Sequence, residues 1–459
     1  KTTFALQFLL EGAARGEAGL YLTLSETRDE LFSVAESHGF DLSKLAILEL
    51  SAVEQMLGDV KENTFFHPSV IELKKTADLL INEIQRVKPK RVVIDSLSEF
   101  RLLAEAPLRY RREILRLKQF FAGHSCTVLL LDDQSAEASD LHVQSIAHGV
   151  ISLLRLPLSY GTQRRQLQVN KLRGVKFREG VHDFIIAKGG LRVFPRLVAG
   201  EHARDYKVEP VTSGIPEFDA LLGGGLDRGT STLLLGPAGA GKSTLAMQHA
   251  VAAASRGERS IVCIFDENKQ TLARRNASLQ IEAQRYISEG LIKVVQIDPA
   301  ELSPGELSSI LRGAVEDFGA RVAIIDSLNG YLKAMPDERF MSLQLHELLT
   351  YLSQHGVMSI MTIAQHGLVG SMQSPVDVTY LADTVVLLRF FEAQGRIKKA
   401  ISVVKKRTGM HEATIREFYV NERGVNIGPA LTTFRGVLTG TPVFTGEEGE
   451  AFVSEKDDV

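Results

Sequence analysis

GPAGAGKSTLAMQHAVAAASRGE, residues 236–258, follows the apolar run STLLL and opens a helical pattern. Its first eight residues fit G-x-x-x-x-G-K-[ST] in strand-to-helix context. Gly236, Gly239 and Gly241 let the backbone turn tightly and aim successive N–H groups inward, and the helix behind them adds the positive end of its dipole. That is a cradle for nucleotide phosphates, built from Gly236, Pro237, Ala238, Gly239, Ala240, Gly241, Lys242, Ser243 and Thr244. Lys242 would reach the β- and γ-phosphates and the Ser243 hydroxyl would ligate Mg²⁺, so ATP and Mg²⁺ are the expected cofactors.

The same stretch explains the start of the chain, KTTFALQFLLEGAARGE. Laid on Lys242, Lys1 begins a gapless match in which ten of the first 31 residues are identical, Gln7/Gln248, Arg15/Arg256 and Glu26/Glu267 among them. Lys1, Thr2 and Thr3 fall on Lys242, Ser243 and Thr244. The expectation is a chain that begins inside a second phosphate loop, without that loop's glycines or the strand before it, so that Lys1 cannot act as Lys242 does.

Further on, KPKRVVIDSL (88–97) matches GARVAIIDSL (319–328), and SIAHGVISLLRL (145–156) matches TYLADTVVLLRF (379–390). Long-period self-similarity of this kind means two copies of one domain. The expected domains are 1–200 and 205–442, with a link near Pro195–Pro210 and an acidic, disordered tail at 443–459. The second copy opens with a lead-in, SGIPEFDALLGGGLDRG (213–229), that the first lacks.

Within each copy, short continuously apolar runs alternate with helical patterns. STLLLG (231–236), SIVCIF (260–265), RVAIID (321–326) and MSIMTI (358–363) suit strands buried on both faces. Leu73, Ala77, Leu80, Ile84 and Val87 share one face of a helix that starts with a Ser69/Glu72 capping box after Pro68; Ser303, Pro304 and Glu306 give the corresponding start in the second copy. The fold class is α/β, with a mostly parallel twisted sheet and helices on both faces in each copy.

A Mg-nucleotide site needs a carboxylate at the end of a neighbouring strand. RVVIDS offers Asp95 and RVAIIDS offers Asp326, at matching positions. Hydrolysis also needs a group that orients or deprotonates water. YLTLSE ends on Glu26, and VCIFDE on Asp266 and Glu267. These are the candidate catalytic carboxylates, expected on a strand between the phosphate loop and the Mg²⁺-binding aspartate.

The composition narrows the class. The 459 residues are 44% hydrophobic and 24% charged with formal net charge −3, so nothing global favours nucleic acid as a partner. Cys126 and Cys263 lie inside apolar runs without metal-ligand spacing. No apolar stretch reaches membrane-spanning length and no leader is visible, which predicts a cytoplasmic protein without a membrane partner.

Two tandem copies carrying GPAGAGKS, VIDSL/IIDSL, SGIPEFDALLGGGL, VNKLRGVKFREGVHDFII (169–186) and VVKKRTGMHEATIREFYV (403–420) resemble the KaiC-type ATPases of the RecA/DnaB superfamily. The resemblance implies two RecA-like domains in a double-ringed homo-hexamer, with ATP between neighbouring subunits. It implies that Lys171 and Arg173, and Lys405 and Arg407, reach the neighbour's nucleotide, where cations stabilise the transferring phosphoryl group. It implies serine/threonine autokinase activity in the second ring with Thr379 as phosphoacceptor, and a role in signalling or circadian-type timing with regulatory partners that the sequence does not identify. The chain departs from the pattern in three places: Ser25–Glu26 and Asp266–Glu267 replace paired glutamates, Thr408 stands where the first copy has a glycine after the K-x-R arginine, and the larger Tyr380 replaces one member of the Ser/Thr acceptor pair. Two other readings stay open: a DNA-dependent ATPase of the same superfamily, and a scaffold that binds ATP only to assemble.

Overall fold

The structure, a computed structural model, describes residues 1–50, 68–104, 106–133, 141–157, 161–201, 204–333, 338–365, 378–393, 395–422, 424–438 and 442–445. It divides into two compact units, residues 1–156 with 164–195, and residues 157–163 with 196–459. The side chains of Ser69, Glu72 and Leu73 and residues 446–459 lie outside the described residues; Val443–Phe444, expected at the start of a disordered tail, instead pair as a short antiparallel strand with Phe434–Arg435.

The first unit alternates α1 (Thr2–Ala14), β1 (Gly19–Thr23), α2 (Arg28–His38), β2 (Leu45–Glu49), α3 (Pro68–Val87), β3 (Arg91–Asp95), α4 (Leu97–Ala104), α5 (Pro107–Ala122), β4 (Thr127–Leu131) and α6 (Leu141–Ile146). A meander of β5 (Gly149–Leu156), β6 (Arg164–Leu172), β7 (Val181–Ala187) and β8 (Gly190–Phe194) follows. The first four strands pair in parallel in the order β2-β1-β3-β4, and the last four form a separate antiparallel sheet. Side chains alternate between the faces of a strand, so Leu20, Leu22, Val92 and Ile94 pack with Ala77, Leu80 and Ile84 of α3, while Tyr21 and Val93 pack with Leu6 and Leu9 of α1. The α3 face is the one its periodicity predicts.

The second unit runs β9 (Pro210–Val211), α7 (Pro216–Leu221), β10 (Leu226–Asp227), β11 (Ser231–Gly236), α8 (Lys242–Ser255), β12 (Arg259–Ile264), α9 (Lys269–Ser278), α10 (Ala283–Ser288), β13 (Ile292–Gln296), α11 (Pro304–Glu316), β14 (Ala320–Asp326), α12 (Leu328–Lys333), α13 (Glu338–Gln354), β15 (Met358–Ala364), β16 (Thr384–Ala393), β17 (Arg396–Lys406), β18 (Arg416–Asn421) and β19 (Gly424–Ala430). One nine-stranded sheet has the order β13-β12-β14-β15-β11-β16-β17-β18-β19. It is parallel through β16 and antiparallel beyond. One face carries α8, through Leu245, Ala246 and Ala250 against Leu234, Val262 and Ile324; the other carries α11 and α13, through Leu307, Leu311 and Leu348 against Leu233, Cys263 and Ile325. Ser303 caps α11 by accepting from the Glu306 N–H at 3.1 Å, with Pro304 in the first turn. Each unit is thus the expected α/β arrangement.

Among the described residues the strand orders of the two units differ at one place. In the second, β11 lies between β15 and β16 and joins the parallel half of the sheet to the antiparallel half. Among the described residues of the first unit no strand holds that position between β4 and β5, and its halves stay separate.

The lead-in 213–229 packs into the core of the second unit, with Ile215, Phe218, Leu221, Leu222 and Leu226 all buried. It also explains Thr408. The Thr408 hydroxyl donates to Asp227 of the lead-in, and the neighbouring Lys406 ammonium donates to the Leu222 and Gly225 carbonyls at 2.7 and 3.0 Å. A glycine there would leave Asp227 without that hydroxyl.

Candidate nucleotide site

β11 is buried along its whole length and delivers the chain to the glycine loop. Gly239 has φ +77° and Gly241 φ +108°, backbone that residues with a Cβ rarely adopt. A Cβ on Gly241 would also stand 2.6 Å from the Phe418 ring. Gly241 caps α8 without a side-chain acceptor, so the first N–H groups of the helix keep their capacity for an incoming anion.

Lys242 is buried, and its ammonium donates to the loop's own carbonyls, Gly236 O at 2.9 Å and Pro237 O at 2.6 Å. Burial pulls its pKa down to about 8, with Asp326 opposing. Phosphate oxygens at the same point would restore the charge that burial disfavours. The Ser243 hydroxyl donates to Asp326 Oδ1 at 3.0 Å, and the Thr362 hydroxyl donates to the same oxygen at 2.5 Å. A hydroxyl and a strand-end carboxylate in contact form an all-oxygen donor pair suited to Mg²⁺, an ion bound by one or two carboxylates plus substrate phosphates. Among the described residues no cluster of three His, Cys, Asp or Glu could hold a metal by itself.

The strand order corrects one expectation. Asp266 and Glu267 follow β12, which lies on the far side of β14; β15, not β12, separates the phosphate-loop strand from the strand of Asp326. The chain leaving the loop returns through α8 across two strands before entering β12, so the carboxylates approach from beyond Asp326. They still gather at the same end of the sheet. Asp266 accepts from the Ser327 hydroxyl, and Glu267 Oε1 accepts from Arg275 Nη2 at 2.7 Å. Burial raises the Glu267 pKa; Arg275 opposes the rise, and the Asp326 and Asp266 charges add to it. A cleft of about 500 Å³ opens between Ala238, Asp266, Ser327, Asn329 and Lys333. A larger one, about 640 Å³, is lined by Arg228, Arg259 and Arg321 at the opposite, amino-terminal ends of the strands. Open α/β sheets bind ligands at their carboxyl ends, so the smaller cleft is the candidate.

In the first unit Thr2 Oγ1 donates to Asp95 Oδ2 at 3.3 Å, and Tyr21 donates to the same oxygen at 2.5 Å. Burial and the Asp95 carboxylate push the Tyr21 hydroxyl's pKa up. Lys1 forms an ion pair with Asp133, and Thr3 Oγ1 lies 3.4 Å from the His38 ring. Burial raises the Glu26 pKa, helped by Asp95 and Glu30, and Glu26 Oε2 is buried with no partner. Asp95, Thr2 and Glu26 come together as their counterparts do; Lys1 is engaged on Asp133.

The K-x-R pairs lie elsewhere. Lys405 donates to the Thr379 and Ala382 carbonyls at 3.0 and 2.7 Å, and Arg407 to the Tyr380 carbonyl at 2.7 Å and to Asp383 at 3.3 Å. Lys171 donates to the Gln144 carbonyl at 2.9 Å and Arg173 to the Ser145 carbonyl at 3.4 Å. Each pair is fastened to the segment that leads into the neighbouring strand, the end of α6 before β5 or residues 379–383 before β16. β16 runs parallel to β11, with Thr232 opposite Thr384 and Leu235 opposite Leu387, so Lys405 and Arg407 sit at the end of the sheet away from their own glycine loop.

Sequence reading missed four residues here. Thr362 and Tyr21 are hydroxyl-bearing residues within largely apolar strands, a signal that was legible. Asn329, which exchanges hydrogen bonds of 3.0 and 2.8 Å with the Ala364 backbone, and Arg275 sit on helices whose docking only the fold reveals.

The fold and the glycine loop define a protein with two tandem RecA-like P-loop domains. A family model of the KaiC ATPase matches residues 1–198 and again 211–432. The chain belongs to the KaiC ATPase family. It is 26% identical over 451 residues to the circadian clock oscillator protein KaiC of Synechococcus elongatus, covering 96% of this chain and 85% of that protein. It is 25% identical over 455 residues to the circadian clock protein KaiC3 of Synechocystis, covering 97% and 89%, and 26% identical over 456 residues to KaiC of Thermosynechococcus vestitus, covering 96% and 85%. Among the described residues no helix is long and apolar enough to cross a membrane.

Proposed function

We propose that the chain is an ATP hydrolase whose second domain carries a complete Mg-ATP site and whose subunits assemble as a homo-hexamer with nucleotide at the interfaces. The observation that carries it is the meeting of Lys242, Ser243, Asp326 and Glu267 at the carboxyl end of one sheet. Residues 236–244 bind the phosphates. Ser243 and Asp326 would hold Mg²⁺, which neutralises charge on the phosphate oxygens when bound. Glu267 orients water and takes its proton as the water oxygen bonds to the γ-phosphorus. The bond from that phosphorus to the bridging oxygen breaks, and ADP leaves with the electron pair. Asp266 and Ser327 line the approach to that water. Lys1, Thr2, Thr3, Asp95 and Glu26 are the corresponding set in the first domain.

Lys405 and Arg407 support the assembly. They are at least about 10 Å from their own loop by strand rise alone, so their target is a neighbour's nucleotide. Lys171 and Arg173 take the same part for the first domain. The test is Glu267→Gln in the full chain. Phosphate release should fall by about a hundredfold or more, with ATP binding retained. Turnover that survives this substitution removes Glu267 from the catalytic role, whereas absent turnover in the unsubstituted chain with assembly on ATP returns it to the scaffold reading.

Autophosphorylation on Thr379 is a second reading, favoured by one contact: the carbonyl of Thr379 is held by Lys405, the cation assigned to the neighbour's phosphates. Mass spectrometry after incubation with Mg-ATP should find phosphate on Thr379; none on residues 371–384 discards it. A part in circadian timing follows from the names of the relatives and is tested by loss of rhythm in the host when the protein is removed.

A further inference from the structure

Glu267 has a partner that Glu26 lacks. Arg275 stands on α9, which Asn268 caps by accepting from the Thr271 N–H at 2.8 Å and which Leu272 and Asn276 anchor by burial. From that helix the guanidinium meets Glu267 Oε1, eight residues back in sequence, at 2.7 Å, both side chains about three-quarters or more out of solvent. Its Nε is buried without a hydrogen-bond partner, and among the described residues its one ion pair is with Glu267. In the first copy the position of Arg275 is taken by Val34, and the Glu26 carboxylate has an unpartnered buried oxygen. The two copies therefore hold the same carboxylate in two ways.

We propose that Arg275 is a positioning residue for hydrolysis in the second domain: by fixing Oε1 of Glu267 from a rigid helix, it aims the carboxylate at the water beside the phosphate loop. The inference rests on Glu267 being the group that activates water. A partly buried ion pair is worth little as a stabiliser, since attraction between its charges is offset by desolvation and side-chain ordering. Its use is geometric. A carboxylate on a turn between a strand end and a helix has three free torsions, and a bond to a capped helix removes most of that freedom.

The test is steady-state ATP turnover of the full chain with Mg-ATP, taking as second-site activity the part lost in Lys242→Ala. Arg275→Val, which installs the first copy's residue, should lower kcat about tenfold and leave KM within about twofold. Arg275→Lys, which keeps a donor and the charge, should recover most of the loss. Arg275→Val combined with Glu267→Gln should be no slower than Glu267→Gln alone, because Arg275 acts through that carboxylate. Binding of a fluorescent ATP analogue and thermal melting report whether each variant folds; should Arg275→Val not fold, Arg275→Gln replaces it with the same expectation for kcat. Unchanged kcat in a folded variant, a change confined to KM, or additive losses in the double variant overturns the proposal. If Glu267→Gln itself turns over normally, the catalytic reading fails instead, and the two failures are told apart.

Discussion

Thr362→Val removes a hydroxyl that is fully buried and donates to Asp326 Oδ1 at 2.5 Å. Valine fills the same volume, so the change is confined to one hydrogen bond. A hydrogen bond to a charged group contributes about 1.5–3 kcal/mol. Asp326 keeps Ser243, at 3.0 Å, so the lower half of that range applies, about 2 kcal/mol. For a domain of this size that is a fall in melting temperature of about 4–8 °C without nucleotide. The functional loss concerns metal. Asp326 oriented by two hydroxyls presents its carboxylate in one direction; with Ser243 alone it can rotate, and Ser243 is itself wanted by the ion. Losing such an outer partner weakens metal binding about tenfold. The assay is ATP turnover against Mg²⁺ concentration at saturating ATP, with a melting curve on the same sample. The half-saturating Mg²⁺ should rise about tenfold while turnover at high Mg²⁺ approaches that of the unsubstituted chain. A half-saturation point that moves less than about twofold, with melting unchanged, refutes the claim that Thr362 orients the ligand.

Three further outcomes follow from the same geometry. Gly241→Ala should abolish binding of a fluorescent ATP analogue and cost about 2 kcal/mol or more in urea unfolding, because φ +108° and the Phe418 ring 2.6 Å away both exclude a Cβ. His249 is fully buried against Phe218, with Asp219 and Arg256 as the nearby charges, and burial lowers its pKa below the ordinary 6.5. The unfolded chain then binds the proton more readily than the folded one, so this contribution is complete above about pH 6.5 and declines as pH falls below it; His249→Phe, the residue at the first copy's position, should flatten the decline in melting temperature between pH 6.5 and 5. Lys405→Ala with Arg407→Ala should cut turnover by about a hundredfold or more while a Glu267→Gln chain mixed in restores part of it, since the cations and the carboxylate then come from different subunits; no restoration in mixed assemblies counts against action in trans.

The duplication and the phosphate loop were legible because both are local strings. Lys242, Ser243, Asp326 and Glu267 are named by their place at the end of an apolar run, and such runs become the buried parallel strands β11, β12 and β14. Strand order was not legible. Nothing in SIVCIF or MSIMTI states which lies beside STLLLG, since both are continuously apolar, and the expectation that Glu267 stands between the loop and Asp326 failed on that ambiguity. Arg275 escaped for a related reason: RRNAS reads as a solvated helix face until α9 is seen to fold back over the strand end it follows. Thr408 looked like a departure in a turn, whereas the lead-in that only the second copy has gives its hydroxyl a partner in Asp227.

The two copies also show what is constrained at the strand-end aspartate. In the second domain the extra hydroxyl comes from β15, as Thr362 on the loop side of Asp326. In the first, Leu131 of β4 lies opposite Asp95, and the hydroxyl comes instead from β1 on the other flank, as Tyr21. A buried carboxylate that must stay charged needs donors, and it accepts them from either neighbouring strand. The cost differs. A tyrosine reaching across the sheet fills the space between β1 and α1 with its ring, so Tyr21→Phe keeps the packing and removes one bond, about 1.5–3 kcal/mol of stability. Tyr21→Val, the residue of the second copy, should cost more, because it opens a cavity beneath α1 as well. A Tyr21→Phe chain that melts with the unsubstituted one would mean that Asp95 is adequately held by Thr2 alone, and that the second donor follows from the tyrosine's packing rather than from the needs of the carboxylate.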